Sequence, residues 1–171
     1  MKIILYLLLF ILCSCEHAPA ADEGYRVMVA YSKEVYKNNK WNMVGIGGGF
    51  DPEQVRSLRL DFFIFGENLS VEESRNLIVD EIKNFLEKIN QDKKINIYLS
   101  HRPFTIDDIH LGLVFYTKDF EYIDNSNYVT QVDLIDGKIF YAIYDKESKN
   151  KRRSIHSETY EEALKLINEK W

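Results

Sequence analysis

Two segments combine the helical spacing of apolar residues with a helix-start signal. Ser70 and Glu73 stand three positions apart, as do Thr159 and Glu162, and each pair has the sequence of a capping box. The apolar faces that follow are made by Val71, Ile78, Ile82, Phe85, Leu86 and Ile89, and by Tyr160, Ala163, Leu164, Ile167 and Trp171. We therefore predict a helix from Ser70 that fades near 90–92, and a second helix that closes the chain.

The segment from Tyr25 to Trp41 has a mixed pattern. Some of its apolar residues fit one face of an amphipathic helix: Val27, Ala30, Tyr31 and Tyr36. Residues 25–29 alone would also fit the start of a strand. Because residues 32–37 lack the period-two alternation of a strand, we favour a helix.

Alternation of apolar and polar residues predicts the strands. Residues 58–65 have one apolar face, made by Leu58, Leu60, Phe62 and Ile64. Residues 109–116 are apolar on both faces, which predicts a central strand. Residues 43–50 fit a short strand that runs into a glycine-rich bend, and 95–99 fit either a short strand or a turn.

The clearest pairing is a hairpin around Asp136-Gly137. This dipeptide is the preferred type I′ turn, and it joins strands predicted at 128–135 and 138–144. A two-residue loop sets Leu134 opposite Ile139 and Val132 opposite Tyr141. All four side chains then point to one face, so turn geometry and hydrophobic pattern agree.

The order of these elements predicts the fold class. Helices and strands do not alternate strictly, and the best strand pair is antiparallel. We predict an α+β domain with one mostly antiparallel sheet of about five strands and with helices packed on one face. Residues 146–153 are predicted to be a basic loop before the last helix.

The start of the chain carries an export pattern. Lys2 precedes an apolar run from Ile3 to Leu12, which is too short to span a bilayer because a spanning helix needs about 20 apolar residues. Cys15 closes the sequence Leu-Cys-Ser-Cys directly after that run. The combination resembles a bacterial lipoprotein signal, in which Cys15 would be acylated after cleavage in front of it.

This resemblance implies a division of the chain. Residues 1–14 would be a signal peptide, 15–24 a lipidated tether, and 25–171 a single domain. The protein would be exported and held on a bacterial membrane, inner or outer, through Cys15. The alternative is a plain secretory signal that is cut after Ala20 or Ala21.

Composition narrows the function classes. The 171 residues are 46% hydrophobic, which suffices for one packed core, and their net charge of −5 argues against nucleic acid as a partner. Both cysteines lie in the signal region, so the folded domain is expected to have no disulfide and no thiolate metal site. We expect no cofactor and no metal ion.

One local cluster combines acids with histidine. Asp107, Asp108 and His110 stand together, with His101 nearby. On a strand Asp108 and His110 would share a face, so one hypothesis is a hydrolase or a metal-dependent enzyme that uses Asp108, His110 and His101. In the structural alternative, which we favour, the two aspartates cap or turn the chain and His110 lies on the solvent side.

The glycine-rich stretch Gly45–Gly49 is a second candidate for chemistry. Such turns cradle phosphates where they open a helix, but no Lys-Ser or Lys-Thr follows here, and Phe50 occupies the place of the third dinucleotide glycine. We therefore interpret it as a bend, a bulge or a close backbone contact.

Two further groups of residues suggest binding. Lys149, Lys151, Arg152 and Arg153 form a basic patch that would suit anionic lipid headgroups or an acidic partner, or would simply be a solvated loop. The sheet also carries several tyrosines. If its second face is uncovered, they form a candidate interface, Tyr128, Tyr141 and Tyr144 among them.

Several segments together resemble a known group of proteins. They are Gly47-Gly48-Gly49, Leu60-Asp61-Phe62, residues 70–79, Pro103-Phe104-Thr105 and residues 160–164. They are similar to uncharacterised exported proteins and lipoproteins of chlamydia-like bacteria. The resemblance implies one compact domain and assigns no functional residue.

These observations lead to one leading hypothesis and two rivals. We expect a lipid-anchored, non-enzymatic α+β domain that binds a protein or another component of the cell envelope. The rivals are the Asp108/His110 enzyme and a structural subunit of an envelope assembly.

Overall fold

The structure is a computed structural model that describes residues 18–148 and 151–169. In these residues the helices are α1 (Pro19–Asn39), α2 (Val71–Gln91) and α3 (Tyr160–Asn168). The strands are β1 (Asn42–Phe50), β2 (Val55–Phe65), β3 (Ile109–Tyr116), β4 (Gln131–Ile135), β5 (Lys138–Tyr144) and β6 (Arg152–Thr159). Short 3₁₀ turns occur at Ile95–Ile97 and Ile106–Asp108. The predicted α+β class is confirmed.

The strands form one sheet in the order of the sequence, from β1 to β6. β2 and β3 are parallel, since the chain crosses through α2 between them, and every other neighbouring pair is antiparallel. The sheet is therefore mostly antiparallel, and β3 lies inside it as predicted.

The core lies between the helices and one face of the sheet. The central strands contribute their alternate residues to it: Leu58, Leu60, Phe62 and Ile64 from β2, Ile109, Leu111, Leu113 and Phe115 from β3, Val132 and Leu134 from β4, and Ile139 and Tyr141 from β5. α1, α2 and α3 bury their apolar faces in the same cluster. The helices thus cover one face of the sheet, as expected.

The local signals place the helices and the hairpin correctly. The Ser70 hydroxyl accepts a hydrogen bond from the Glu73 amide, the Glu73 carboxylate accepts one from the Ser70 amide, and Thr159 and Glu162 do the same at α3. The hairpin register is also as predicted, with Leu134 opposite Ile139. Both turn residues have positive φ, 49° at Asp136 and 71° at Gly137, as a type I′ turn requires.

The predicted tether at 15–24 is too long. α1 begins at Pro19, a residue that suits the first turn of a helix, and Ala20 and Gly24 are buried in the fold. Residues 19–24 therefore belong to the domain. The helix favoured for 25–41 is confirmed as far as Asn39, and the alternative strand at 25–29 is wrong.

The predicted glycine-rich bend is also wrong, because β1 continues through the glycines to Phe50, with irregular pairing to β2 between Met43 and Gly45 and between Gly49 and Phe50. Two of them sit where no side chain fits. A Cβ at Gly48 would lie 2.2 Å from the Ser57 carbonyl oxygen, and one at Gly45 would lie 2.2 Å from a carboxylate oxygen of Asp61. Two of the suggested alternatives are therefore confirmed: close contacts at Gly45 and Gly48, and bulge-type irregularities in the pairing at both ends of the stretch.

The predicted basic loop at 146–153 overlaps a sixth strand. Residues from Arg152 onward pair with β5, with Arg152 opposite Tyr144 and Lys138 opposite Thr159. Most of β6 is exposed, and its single large apolar residue, Ile155, is itself exposed. Hydrophobic alternation therefore could not reveal this edge strand.

Cys15 and the predicted signal peptide lie outside the described residues. Within 18–148 and 151–169, no helix is both long enough and apolar enough to cross a membrane.

Candidate functional site

One face of the sheet is not covered by the helices. Side chains alternate along each strand, so the residues between the core positions of β2 to β5 point to this second side. We call it the open face. Its central residues are Arg59, Asp61, Phe63 and Phe65 of β2, His110, Gly112, Val114 and Tyr116 of β3, Gln131 and Asp133 of β4, and Phe140 and Tyr144 of β5.

The middle of the open face is polar. Arg59 Nε donates to Asp61 Oδ2 at 2.9 Å, and Gln131 Nε2 donates to both oxygens of Asp133 at 2.9 and 2.7 Å. Gly112 lies between the two aspartates in the strand register. A Cβ there would be 2.4 Å from Asp61 Oδ1 and 3.1 Å from Asp133 Oδ1, so both carboxylates converge above this glycine.

Two arginines, Arg59 of β2 and Arg152 of β6, partly offset the negative charge of this polar centre. Burial raises the pKa of Asp133, and the charge of Asp61 adds to the rise. The hydrogen bond from Gln131 and the charges of Arg152 and Arg59 oppose it. The carboxylates are therefore held by fixed donors. The Gln131 side-chain oxygen, in contrast, is buried and has no hydrogen-bond partner among the described residues.

An aromatic cluster adjoins the polar centre at the end of β2 and β3. It consists of Phe63, Phe65, Tyr116, Phe120, Tyr122 and Tyr144. The Tyr116 and Phe120 rings stack with centroids 4.9 Å apart, and those of Tyr122 and Tyr144 stack at 4.6 Å. Phe120 remains 59% exposed and Tyr122 44% exposed, so much of the cluster faces solvent.

Phe120 adopts an unusual backbone conformation. Its φ is 64°, in the left-handed region that costs a side-chain-bearing residue about 1–2 kcal/mol. It lies in the turn after β3, where its amide donates to the Thr117 carbonyl oxygen. Contacts with the rings of Phe63, Phe65 and Tyr116 keep it there. An unfavourable backbone conformation therefore accompanies the exposed aromatic ring at the tip of the cluster.

The predicted acid–histidine cluster is only partly assembled. His101 Nε2 lies 2.7 Å from Asp108 Oδ1, while Asp108 Oδ2 accepts from the backbone and side chain of Thr105. Asp108 therefore caps the turn that leads into β3, which is the structural interpretation. His110 lies on the open face beside Arg59, and no described contact joins it to His101 or Asp108.

No metal site accompanies these residues. Within the described parts of the chain, no group of three or more histidine, cysteine, aspartate or glutamate side chains is placed to hold a metal ion.

The predicted basic patch is divided by the structure. Lys149 lies outside the described residues. Lys151 Nζ donates to the Lys146 carbonyl oxygen, and Arg153 Nε lies 3.6 Å from a carboxylate oxygen of Asp145. Arg152 stands beside Tyr144 at the margin of the open face, where its charge acts on Asp133.

The three tyrosines singled out from the sequence do not lie together on one face of the sheet. Tyr141 is fully buried on the helix-covered side, and Tyr128 packs against the core. Only Tyr144 belongs to the open face. Sequence analysis missed Arg59, Asp61, Gln131 and Asp133. The pattern that could have revealed them is a pair of polar residues two positions apart in an otherwise apolar strand, which occurs in β2 and again in β4.

Comparison of the chain with protein-family models, with curated proteins and with solved structures finds no match.

Proposed function

We propose that this chain is an exported, lipid-anchored domain that binds a protein partner through the open face of its sheet. The observation that carries the proposal is the exposed aromatic cluster beside the polar centre, on the face that α1, α2 and α3 leave uncovered. Monomeric proteins rarely expose an apolar patch of this kind unless it contacts something.

The composition of the face favours a protein over other partners. Tyrosine, phenylalanine and arginine are the residues enriched in the cores of protein–protein interfaces, and here they surround hydrogen-bonded charges. Arg59 is neutralised by Asp61, so the face is not dominated by positive charge. Among the described residues of the open face, a phosphate-rich surface would meet no continuous cationic patch. A protein with its own aromatic and polar groups fits better.

The fold also supports cleavage before Cys15. A cut after Ala20 or Ala21 would remove Pro19 and the fully buried Ala20 from α1. A cut before Cys15 leaves the whole helix in place. Three residues, 16–18, would then separate the lipid-bearing Cys15 from α1, and because a span of four residues reaches at most about 14 Å, the domain would stay close to the membrane.

Metabolic labelling with an alkyne fatty acid tests the anchor. The wild-type chain and Cys13→Ala should both incorporate the label and fractionate with membranes, whereas Cys15→Ala should lose both properties. Persistent labelling of Cys15→Ala, or equal loss in the Cys13→Ala control, would contradict the anchor.

Capture from the native envelope tests the binding face. We choose Phe120→Asn because asparagine tolerates the left-handed conformation, and Tyr36→Gln as a control because Tyr36 is an aromatic residue of α1 with similar exposure, 54%. A partner should be retained by the wild type and the control and reduced about tenfold or more by Phe120→Asn, as for an interface hot spot. Identical capture by both variants would contradict the proposal.

A further inference from the structure

A groove on the helix-covered side of the molecule has a chemistry different from that of the open face. It is lined by Trp41, Ile64, Leu69 and Leu77 below and by Glu67, Glu73, Asn76 and Asp80 at its margin, and its volume is about 420 Å³. We call it the acidic groove. It lies where the end of β2, the start of α2 and Trp41, in the link between α1 and β1, meet.

The floor of the acidic groove is apolar. Trp41 and Ile64 belong to the core, and Leu69 and Leu77 are half-buried against it. The Trp41 ring packs 6.2 Å from the ring of Phe62, so the floor is held by a core residue of β2. A volume of this size is within the range of ligand pockets, about 300–1,000 Å³, and an apolar side chain entering it would be removed from water.

The margin of the groove is negatively charged. Glu67, Glu73 and Asp80 contribute three carboxylates, and none of the residues that line the groove is basic. Hydrogen bonds from Ser70 lower the pKa of Glu73, so that carboxylate stays ionised. Lys83 Nζ approaches Asp80 only to 4.0 Å, and both side chains are more than half exposed, so this pair neutralises little.

We propose that the acidic groove binds a polypeptide segment in which a large apolar side chain is flanked by lysine or arginine. The apolar side chain would occupy the floor, and the cationic side chains would pair with the carboxylates of Glu67 and Asp80. A fatty acid or an anionic lipid headgroup would bring negative charge against three carboxylates, so charge complementarity selects the basic segment. This site is separate from the open face and stands or falls independently of it.

The proposal is tested with a synthetic probe and the full chain purified in mild detergent. Trp171→Phe leaves Trp41, on the groove floor, as the only tryptophan and therefore as the fluorescent reporter. The probe is a peptide with a Leu-Leu pair between lysines, and its counterpart carries glutamate in place of each lysine. Titration with the lysine peptide should change Trp41 emission saturably and more weakly at high salt, and the glutamate peptide should have no effect.

Matched variants locate the interaction. Glu67→Gln with Asp80→Asn should weaken binding of the lysine peptide about tenfold, the sum expected for two exposed ion pairs. Glu53→Gln with Glu121→Gln removes the same charge from exposed positions that do not line the groove and should leave binding unchanged. Absence of saturable binding, equal binding of the two peptides, or equal weakening by both double variants would overturn the proposal.

Discussion

Replacing Arg75 with methionine tests the buried polar contact that attaches β6 to α2. Arg75 Nε donates to Glu158 Oε1 at 2.8 Å, and the Tyr141 hydroxyl donates to the same oxygen at 2.5 Å. The side chains are 11% exposed at Arg75 and 4% at Glu158. Methionine keeps the length and the apolar stem of arginine but leaves the Glu158 carboxylate without its cationic partner.

The expected cost is large because the remaining charge is buried. Removing one partner of a buried ion pair costs about 3–5 kcal/mol, far more than the 0–1 kcal/mol of an exposed pair. For a chain of this size we expect the melting temperature of Arg75→Met to fall by about 6–20 °C. Combining Arg75→Met with Glu158→Leu and Tyr141→Phe should recover much of the loss, since neither an unpaired charge nor an unpartnered hydroxyl remains.

The loss should depend on pH in a defined direction. Burial alone would raise the pKa of Glu158, but the hydrogen bonds from Arg75 and Tyr141 outweigh it and hold that pKa below its ordinary value. In the wild type the ionised Glu158 therefore stabilises the fold above the ordinary glutamate pKa, and this contribution is lost as the pH falls through the lowered value. In Arg75→Met burial dominates, so the penalty should be largest at neutral pH and should shrink on acidification toward about pH 4.

Urea unfolding of the full chain, followed by circular dichroism at several pH values, measures these quantities. Lys83→Met is the matched control, because its pair with Asp80 is exposed and should contribute less than about 1 kcal/mol. His156 Nε2 lies 3.5 Å from Glu158 Oε2 and is the other titratable group facing this carboxylate. A loss below about 1 kcal/mol, or one that does not change with pH, would refute the reasoning.

Three further predictions concern other parts of the fold. Gly112→Ala should destabilise the fold by about 1–3 kcal/mol in urea unfolding, because the new Cβ would meet Asp61. Gly47→Ala, with open space around it, should stay within about 0.5 kcal/mol of the wild type. Equal effects of the two substitutions would contradict the close packing at Gly112. Burial raises the pKa of Glu81, so ionisation of this carboxyl destabilises the fold as the pH rises above the ordinary glutamate pKa. Glu81→Gln should therefore gain stability relative to the wild type between about pH 4 and neutral pH. A stability difference that does not change with pH would count against this reasoning. Ser70→Ala should lower the free energy of unfolding by about 1 kcal/mol through loss of the α2 cap, with no change in the denaturant dependence.

Local signals in the sequence were sufficient for much of the fold. The capping boxes at Ser70 and Thr159 and the turn at Asp136-Gly137 each act within a few residues, so the pattern could be interpreted without tertiary context. β6 could not be found in this way, because its residues are mostly polar and exposed and gain their strand conformation from pairing with β5. The start of α1 was missed for a related reason, since the small residues after Pro19 resemble a tether until packing buries Ala20.

The candidate site was less accessible to sequence analysis. His101 and Asp108 are close in the chain, and their contact was within reach of a local argument. Asp61 and Asp133 are far apart in sequence and meet only because strand register places both beside Gly112. The aromatic cluster likewise depends on the turn that folds Phe120 back onto β2. Such sites follow from topology rather than from any spacing along the chain.

Site-specific photocrosslinking tests the binding face most directly. Benzoylphenylalanine placed at Phe120 would sit at the tip of the aromatic cluster, and at Tyr36 it would sit on the exposed side of α1 with comparable exposure. In living cells of the organism that encodes the protein, irradiation should link the Phe120 variant to one predominant protein and leave the Tyr36 variant largely unlinked. Equal adducts from both positions, or none from Phe120, would contradict the claim that the open face binds a protein.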